Sequence, residues 1–153
     1  DLQSGVPHGP LATGQDCTVC HAAHTSPQPG LIPRGERDVC GTCHAERAAQ
    51  SREAVHAHPV QDAGTCTMCH DPHLTAPTKD APRAEICLNC HTYAEPTDHP
   101  VGAEFKDPRT GRAMGCASCH NPHGSAFAKF LADDPGGRLC VQCHTDKLRQ
   151  KRS

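Results

Sequence analysis

At 153 residues the length suggests one domain, and a formal charge of −2 gives no basic field for nucleic acid beyond the short Arg149-Gln150-Lys151-Arg152 tail. Leu, Ile, Val and Phe together supply 20 residues, about 13% of the chain and below the roughly 20% under which chains tend to stay disordered. With no tryptophan, and only Tyr93, Phe105, Phe127 and Phe130 as aromatics, side chains alone cannot fill an interior; some other group must.

In chain order, a histidine turn, His8-Gly9-Pro10, comes first. It is followed by Cys17-Thr18-Val19-Cys20-His21, with His24 three residues on. Residues 25–30 read as a turn from their proline and glycine. Cys40-Gly41-Thr42-Cys43-His44 follows, and residues 45–55 carry high helix propensity without a breaker, predicting the longest helix, stopping before Pro59. A second histidine turn, His58-Pro59-Val60, precedes Cys66-Thr67-Met68-Cys69-His70 and its trailing His73. The loop 75–82 leads to Cys87-Leu88-Asn89-Cys90-His91.

A third turn, His99-Pro100-Val101, is followed by an insertion, residues 102–112, that predicts a turn or small hairpin around Asp107-Pro108-Arg109-Thr110-Gly111. It reads as a docking or cofactor-shielding flap or, more simply, as an inert surface loop. Cys116-Ala117-Ser118-Cys119-His120 with His123, and Cys140-Val141-Gln142-Cys143-His144, complete the set.

All 12 cysteines thus fall in six C-x-x-C-H motifs. Two sulfurs on one turn of chain can add to the two vinyl groups of a porphyrin, and the next histidine then meets the iron from the same side. C-x-x-C also marks zinc sites, redox dithiols and disulfide frameworks, but none of these needs a histidine after every second cysteine. The expected cofactors are six covalently bound haem c, attached at Cys17, Cys20, Cys40, Cys43, Cys66, Cys69, Cys87, Cys90, Cys116, Cys119, Cys140 and Cys143. The haems would then form the core, and the apoprotein is expected to be unfolded. With propionates and ferric irons counted, the charge would fall to about −8. The ten arginines would pair propionates or simply lie solvated on the surface.

The motifs alternate between two kinds. The first follows a polar residue or glycine (Asp16, Thr65, Gly115) and has a histidine three residues after it; the second follows an apolar residue (Val39, Ile86, Leu139) and has none. Cys17, Cys66 and Cys116 recur about every fifty residues, so the chain reads as three tandem two-haem modules. The expected organisation is a single hexahaem unit, 1–153, built of repeats 1–55, 56–95 and 96–153. Its fold class is mostly coil with short α-helices around a haem core.

Cys69-His70-Asp71-Pro72-His73 and Cys119-His120-Asn121-Pro122-His123 resemble the multihaem cytochromes c with doubled C-x-x-C-H motifs, whereas Cys20-His21-Ala22-Ala23-His24 lacks the proline. The likeness covers nearly the whole chain and extends to tetrahaem cytochromes of sulfate reducers, pentahaem donors to nitrite reductase and porin-embedded decahaem cytochromes. It implies an elongated haem chain with bis-histidine iron, moving electrons between redox proteins. It also implies a periplasmic or extracellular (cell-surface) location. No apolar run approaches a membrane span, and Asp1-Leu2-Gln3-Ser4 does not read as a signal peptide, so a mature form is expected.

Six proximal histidines, His21, His44, His70, His91, His120 and His144, leave His8, His24, His56, His58, His73, His99 and His123. Repeat position selects His58 over His56, and the count closes at six distal ligands: His8, His24, His58, His73, His99 and His123. Met114 is a weaker axial candidate. By resemblance to the tetrahaem pattern, the pairs would be His8 with His21, His24 with His44, His58 with His70, His73 with His91, His99 with His120, and His123 with His144. Six bis-histidine irons would have low potentials and no open position for substrate, so an electron carrier is expected and not an enzyme. The alternatives are a subunit of a conductive extracellular filament and a wire within a larger membrane redox complex.

Overall fold

Each C-x-x-C-H motif closes one turn of chain, in the same way six times. The histidine amide donates to the carbonyl of the first cysteine at 2.8–3.0 Å, and the second-cysteine amide donates to that carbonyl at 3.2–3.3 Å. What differs is the approach. In this computed structural model, which describes residues 6–59, 65–75, 84–92 and 101–146, the first-kind motifs form 3-10 turns over Cys17–Val19, Cys66–Met68 and Cys116–Ser118. The second-kind motifs instead end short α-helices that carry the apolar residue ahead of the first cysteine.

Those helices are α2 (Glu36–Gly41), α4 (Ala84–Leu88) and α5 (Arg138–Val141). Two more complete the described helices: α1 (Gly9–Ala12), with proline in its first turn, and α3 (Ala45–Glu53). At nine residues α3 is the longest of these, as expected, and Ala54 leaves it in extended conformation. Asp16 caps the turn of the first motif: its Oδ1 accepts from the Thr18 hydroxyl and, at 2.8 Å, from the Thr18 amide, and these two bonds hold the Asp16 carboxyl below its usual range.

Contacts divide the chain into two compact units, residues 1–77 and 78–153. Each contains three C-x-x-C-H motifs, and the boundary falls inside the second sequence repeat. In the first unit β1 (Val6–Pro7) pairs antiparallel with β2 (Leu74–Thr75). No residue pattern signals this pair, because two strands of two residues have no hydrophobic alternation to detect. Helix α2 packs on α3 and on the Cys66–Met68 turn. Gly41 permits the first contact, since a Cβ there would lie 3.3 Å from that of Ala48.

In the second unit β3 (Gly102–Lys106) and β4 (Ala113–Met114) form an irregular antiparallel pair. The insertion is therefore a hairpin. Among the described residues the buried apolar side chains are Val39 and Ala113, at 8% exposure each, and no side chain is fully enclosed. The side-chain core is as small as the composition implied.

Candidate haem sites

The cysteines stand free of disulfides. Among the described residues no three His, Cys, Asp or Glu side chains converge to hold a metal ion. Cysteines of successive motifs nevertheless lie together. The Cys40 thiol is pushed up to about 12, first by burial and then by the neighbouring Cys66, Glu36 and Cys20. Burial likewise raises Cys119, with Cys143 and Cys140 nearby.

Two histidine pairs have the spacing that an iron needs. The rings of His8 and His44 have centroids 6.0 Å apart, and those of His21 and His73 are 5.9 Å apart. Two imidazoles bound at about 2 Å on opposite faces of one iron place their ring centres roughly 6 Å apart. The residues present therefore fit bis-histidine haem. The partners differ from the expected pairing, which set His8 with His21, His24 with His44 and His73 with His91. The strand pair is the reason: β1 leads into His8, β2 begins after His73, and the His8 amide donates to the His73 carbonyl at 3.3 Å. One two-strand joint presents both imidazoles, each to a different motif.

Two proximal histidines are also oriented from behind. His21 Nδ1 lies 2.6 Å from the Gly30 carbonyl, and His120 Nδ1 lies 2.7 Å from that of Lys129. A proton on Nδ1 leaves the Nε2 lone pair for iron and makes the ring more basic. The same nine-residue return is built both times. Ser26 bonds the Ile32 carbonyl and Ser125 the Leu131 carbonyl, while the Ala22 and Asn121 amides donate to Leu31 and Phe130 at 2.7 Å. The turning residues have positive φ: Gly30 and Leu31 in one loop, Lys129 and Phe130 in the other. The proline and glycine content marked the first loop as a turn. Its role behind a proximal histidine had no sequence signal except the recurring serine.

The residues between the cysteines tie motifs to their surroundings. Glu36, on α2, accepts from the Thr67 amide at 2.9 Å and from its hydroxyl at 2.8 Å, joining the second motif to the third. In the hairpin Asp107, 3% exposed, holds Arg109 through bonds of 2.9 and 2.6 Å. The guanidinium then donates to the Ser118 carbonyl and, at 2.6 Å, to Gln142, inside the fifth and sixth motifs. The hydrogen bonds that Arg109 donates to it hold the Asp107 carboxyl down at about 2. The insertion is a clamp on two motifs, and the simpler expectation of an inert surface loop is corrected.

The remaining expected ligands are placed as follows. His24 is exposed. His58, with its Nδ1 buried, and His123 are half-buried. His70, His91 and His144, all exposed, each close their own motif turn. Met114 lies in β4. His99 falls outside the described residues.

Comparison with known proteins accords with this geometry. The pattern described as the doubled CXXCH motif matches residues 8–49, 58–96 and 108–149; the first two segments begin at His8 and His58. The multiheme cytochrome MtrA of Shewanella baltica (strain OS185) is 32% identical over 160 residues, covering 84% of this chain and 48% of that protein. The chain thus spans about half the length of that curated relative.

Proposed function

The chain belongs to the multihaem cytochromes c with doubled C-x-x-C-H motifs, and on that premise we propose that it carries electrons along six covalently attached haems between protein redox partners. The observation that carries this reading is the spacing of His8 from His44 and of His21 from His73. With an imidazole on each face, an iron has no coordination position left for a substrate, which suits a carrier and not a catalyst.

Haem supplies a one-electron change at iron; the protein's residues supply attachment, orientation and the second axial bond. Cys17 and Cys20 with His21, and Cys40 and Cys43 with His44, would hold the first two haems. His73 and His8 would close them from the other side. The small side-chain core supports haems as the interior. Among the described residues no helix is long and apolar enough to cross a membrane, and we place the chain in the periplasm or outside the cell, where this attachment chemistry operates.

Mass spectrometry of the purified holoprotein should give six haems. Electron paramagnetic resonance should show low-spin iron at the His21 and His44 sites. A redox titration should show one-electron steps at low potential, whereas haems without thioether bonds or turnover of a small substrate at iron would overturn the reading.

A further inference from the structure

Two side chains each tie a pair of motifs together, and they carry opposite charge. In the first unit the tie is Glu36. Its carboxylate accepts both bonds from Thr67, inside the third motif. It also stands four residues ahead of Cys40 on α2, about one helical turn from the first sulfur of the second motif. Glu36 is half-buried and makes no ion pair among the described residues, so no paired cation offsets it. Its charge reaches the Cys40 thiol, which Glu36 helps to push up.

In the second unit the tie is Arg109. Its guanidinium donates to the Ser118 carbonyl and to Gln142. These residues occupy the same place in the fifth and sixth motifs, immediately ahead of the second cysteine, and Cys119 and Cys143 both lie within reach of the charge. Asp107 pairs with Arg109 at 2.6 Å, yet the guanidinium acts on Cys119 more strongly than that carboxylate does. The Arg109 side chain is 27% exposed, so solvent screens it only in part.

A haem that takes up an electron gains negative charge at its iron. A neighbouring cation favours that change and a neighbouring anion opposes it. We propose that Glu36 and Arg109 bias electron flow along the chain: Glu36 lowers the potentials of the haems attached at Cys40/Cys43 and Cys66/Cys69, and Arg109 raises those of the haems attached at Cys116/Cys119 and Cys140/Cys143. The proposal rests on the carrier reading above. Each hop oxidises one ferrous iron and reduces one ferric iron, so the bias needs no further reactant. Electrons in a partly reduced protein settle on the fifth and sixth haems, and both residues act through the attachment motifs without touching iron.

Potentiometric titration of the holoprotein, followed by proton NMR of haem methyl groups assigned through their contacts with the attaching cysteines, should place the fifth and sixth haems above the second and third. Arg109→Gln, which keeps a side-chain donor and loses the charge, should lower the fifth and sixth potentials. Arg109→Lys, which keeps the charge and loses the planar fork, should leave them near the parent values even as it weakens the clamp. Glu36→Gln should raise the second and third potentials. A tie that is merely structural would move Arg109→Gln and Arg109→Lys together and would give no opposite signs. An inverted order of the two haem pairs, shifts of one sign in both glutamine variants, equal shifts in the two Arg109 variants, or potentials that ignore all three substitutions would each overturn the proposal. Should Arg109→Gln fail to fold, Asp107→Asn decides: loss of the anion beside Arg109 should raise the fifth and sixth potentials, and a fall or no change would sink the idea. Fewer than six haems, or no reversible one-electron steps, would instead count against the carrier reading itself.

Discussion

His8 and His73 come from different sequence repeats, yet their backbones are bonded at 3.3 Å and their side chains diverge, one towards His44 and the other towards His21. A single joint between two short strands therefore aims two imidazoles at histidines of two different motifs, which on the haem reading would give two irons their second ligand. Removing His8 is expected to turn one low-spin haem high-spin, and removing His73 another. His8→Ala combined with loss of Cys40 and Cys43 should show no high-spin haem beyond that of the Cys40/Cys43-deleted parent, because both changes fall on the same site. A new high-spin signal in the combined variant would return His8 to His21.

The haem-free chain is expected to be unfolded. Val39 and Ala113 are the buried apolar side chains among the described residues, and such a core cannot offset the roughly 1–2 kcal/mol of backbone entropy lost per ordered residue. Circular dichroism of a chain with all 12 cysteines replaced by serine should show coil and no cooperative melting; a sharp transition would overturn this expectation.

Asp107 predicts a pH dependence. Its carboxyl is held down at about 2, chiefly by hydrogen bonds from Arg109, against about 4 in an unfolded chain. Its stabilisation is therefore fully present above pH ~4 and is lost as the pH falls from ~4 towards 2. Denaturant unfolding of the holoprotein should show this loss, and Asp107→Asn should lack that part of it while being about 2 kcal/mol less stable at neutral pH. Equal acid sensitivity in the two proteins would contradict the clamp.

Lys129 has φ 57°, where its counterpart in the first loop is Gly30 at φ 68°. A side chain in the left-handed region costs about 1 kcal/mol, so Lys129→Gly should stabilise the holoprotein by up to ~1 kcal/mol. The low-spin spectrum should be unchanged, because the carbonyl behind His120 stays in place. A clear destabilisation would show that the lysine side chain is needed there.

Glu36 receives two bonds from Thr67. Glu36→Gln keeps one carbonyl oxygen to accept, turns the other position into a donor and removes the charge. It should cost on the order of 1 kcal/mol, with a similar cost for Thr67→Val and little further loss in the double variant. Additive losses in that cycle would mean that the two residues act separately.

Attachment chemistry, module count and the scarcity of side-chain core were legible in the residues alone, because C-x-x-C-H is a local pattern of one turn and composition does not depend on topology. The longest helix, α3, was legible for the same reason: residues 45–53 carry their propensity with them. The hairpin around Asp107 was readable from its turn residues, but its hold on Ser118 and Gln142 was not.

What only the tertiary structure decided is which imidazole meets which motif. The tetrahaem resemblance sets His8 with the first motif and His24 with the second, and local sequence contains no term for a strand that returns from residue 74. Once β1 pairs with β2, His8 and His73 are aimed by backbone hydrogen bonds between distant segments. Such long-range pairing depends on how the chain folds back on itself and not on any local preference, so a ligand count that closes in the sequence can still be distributed across modules in the fold.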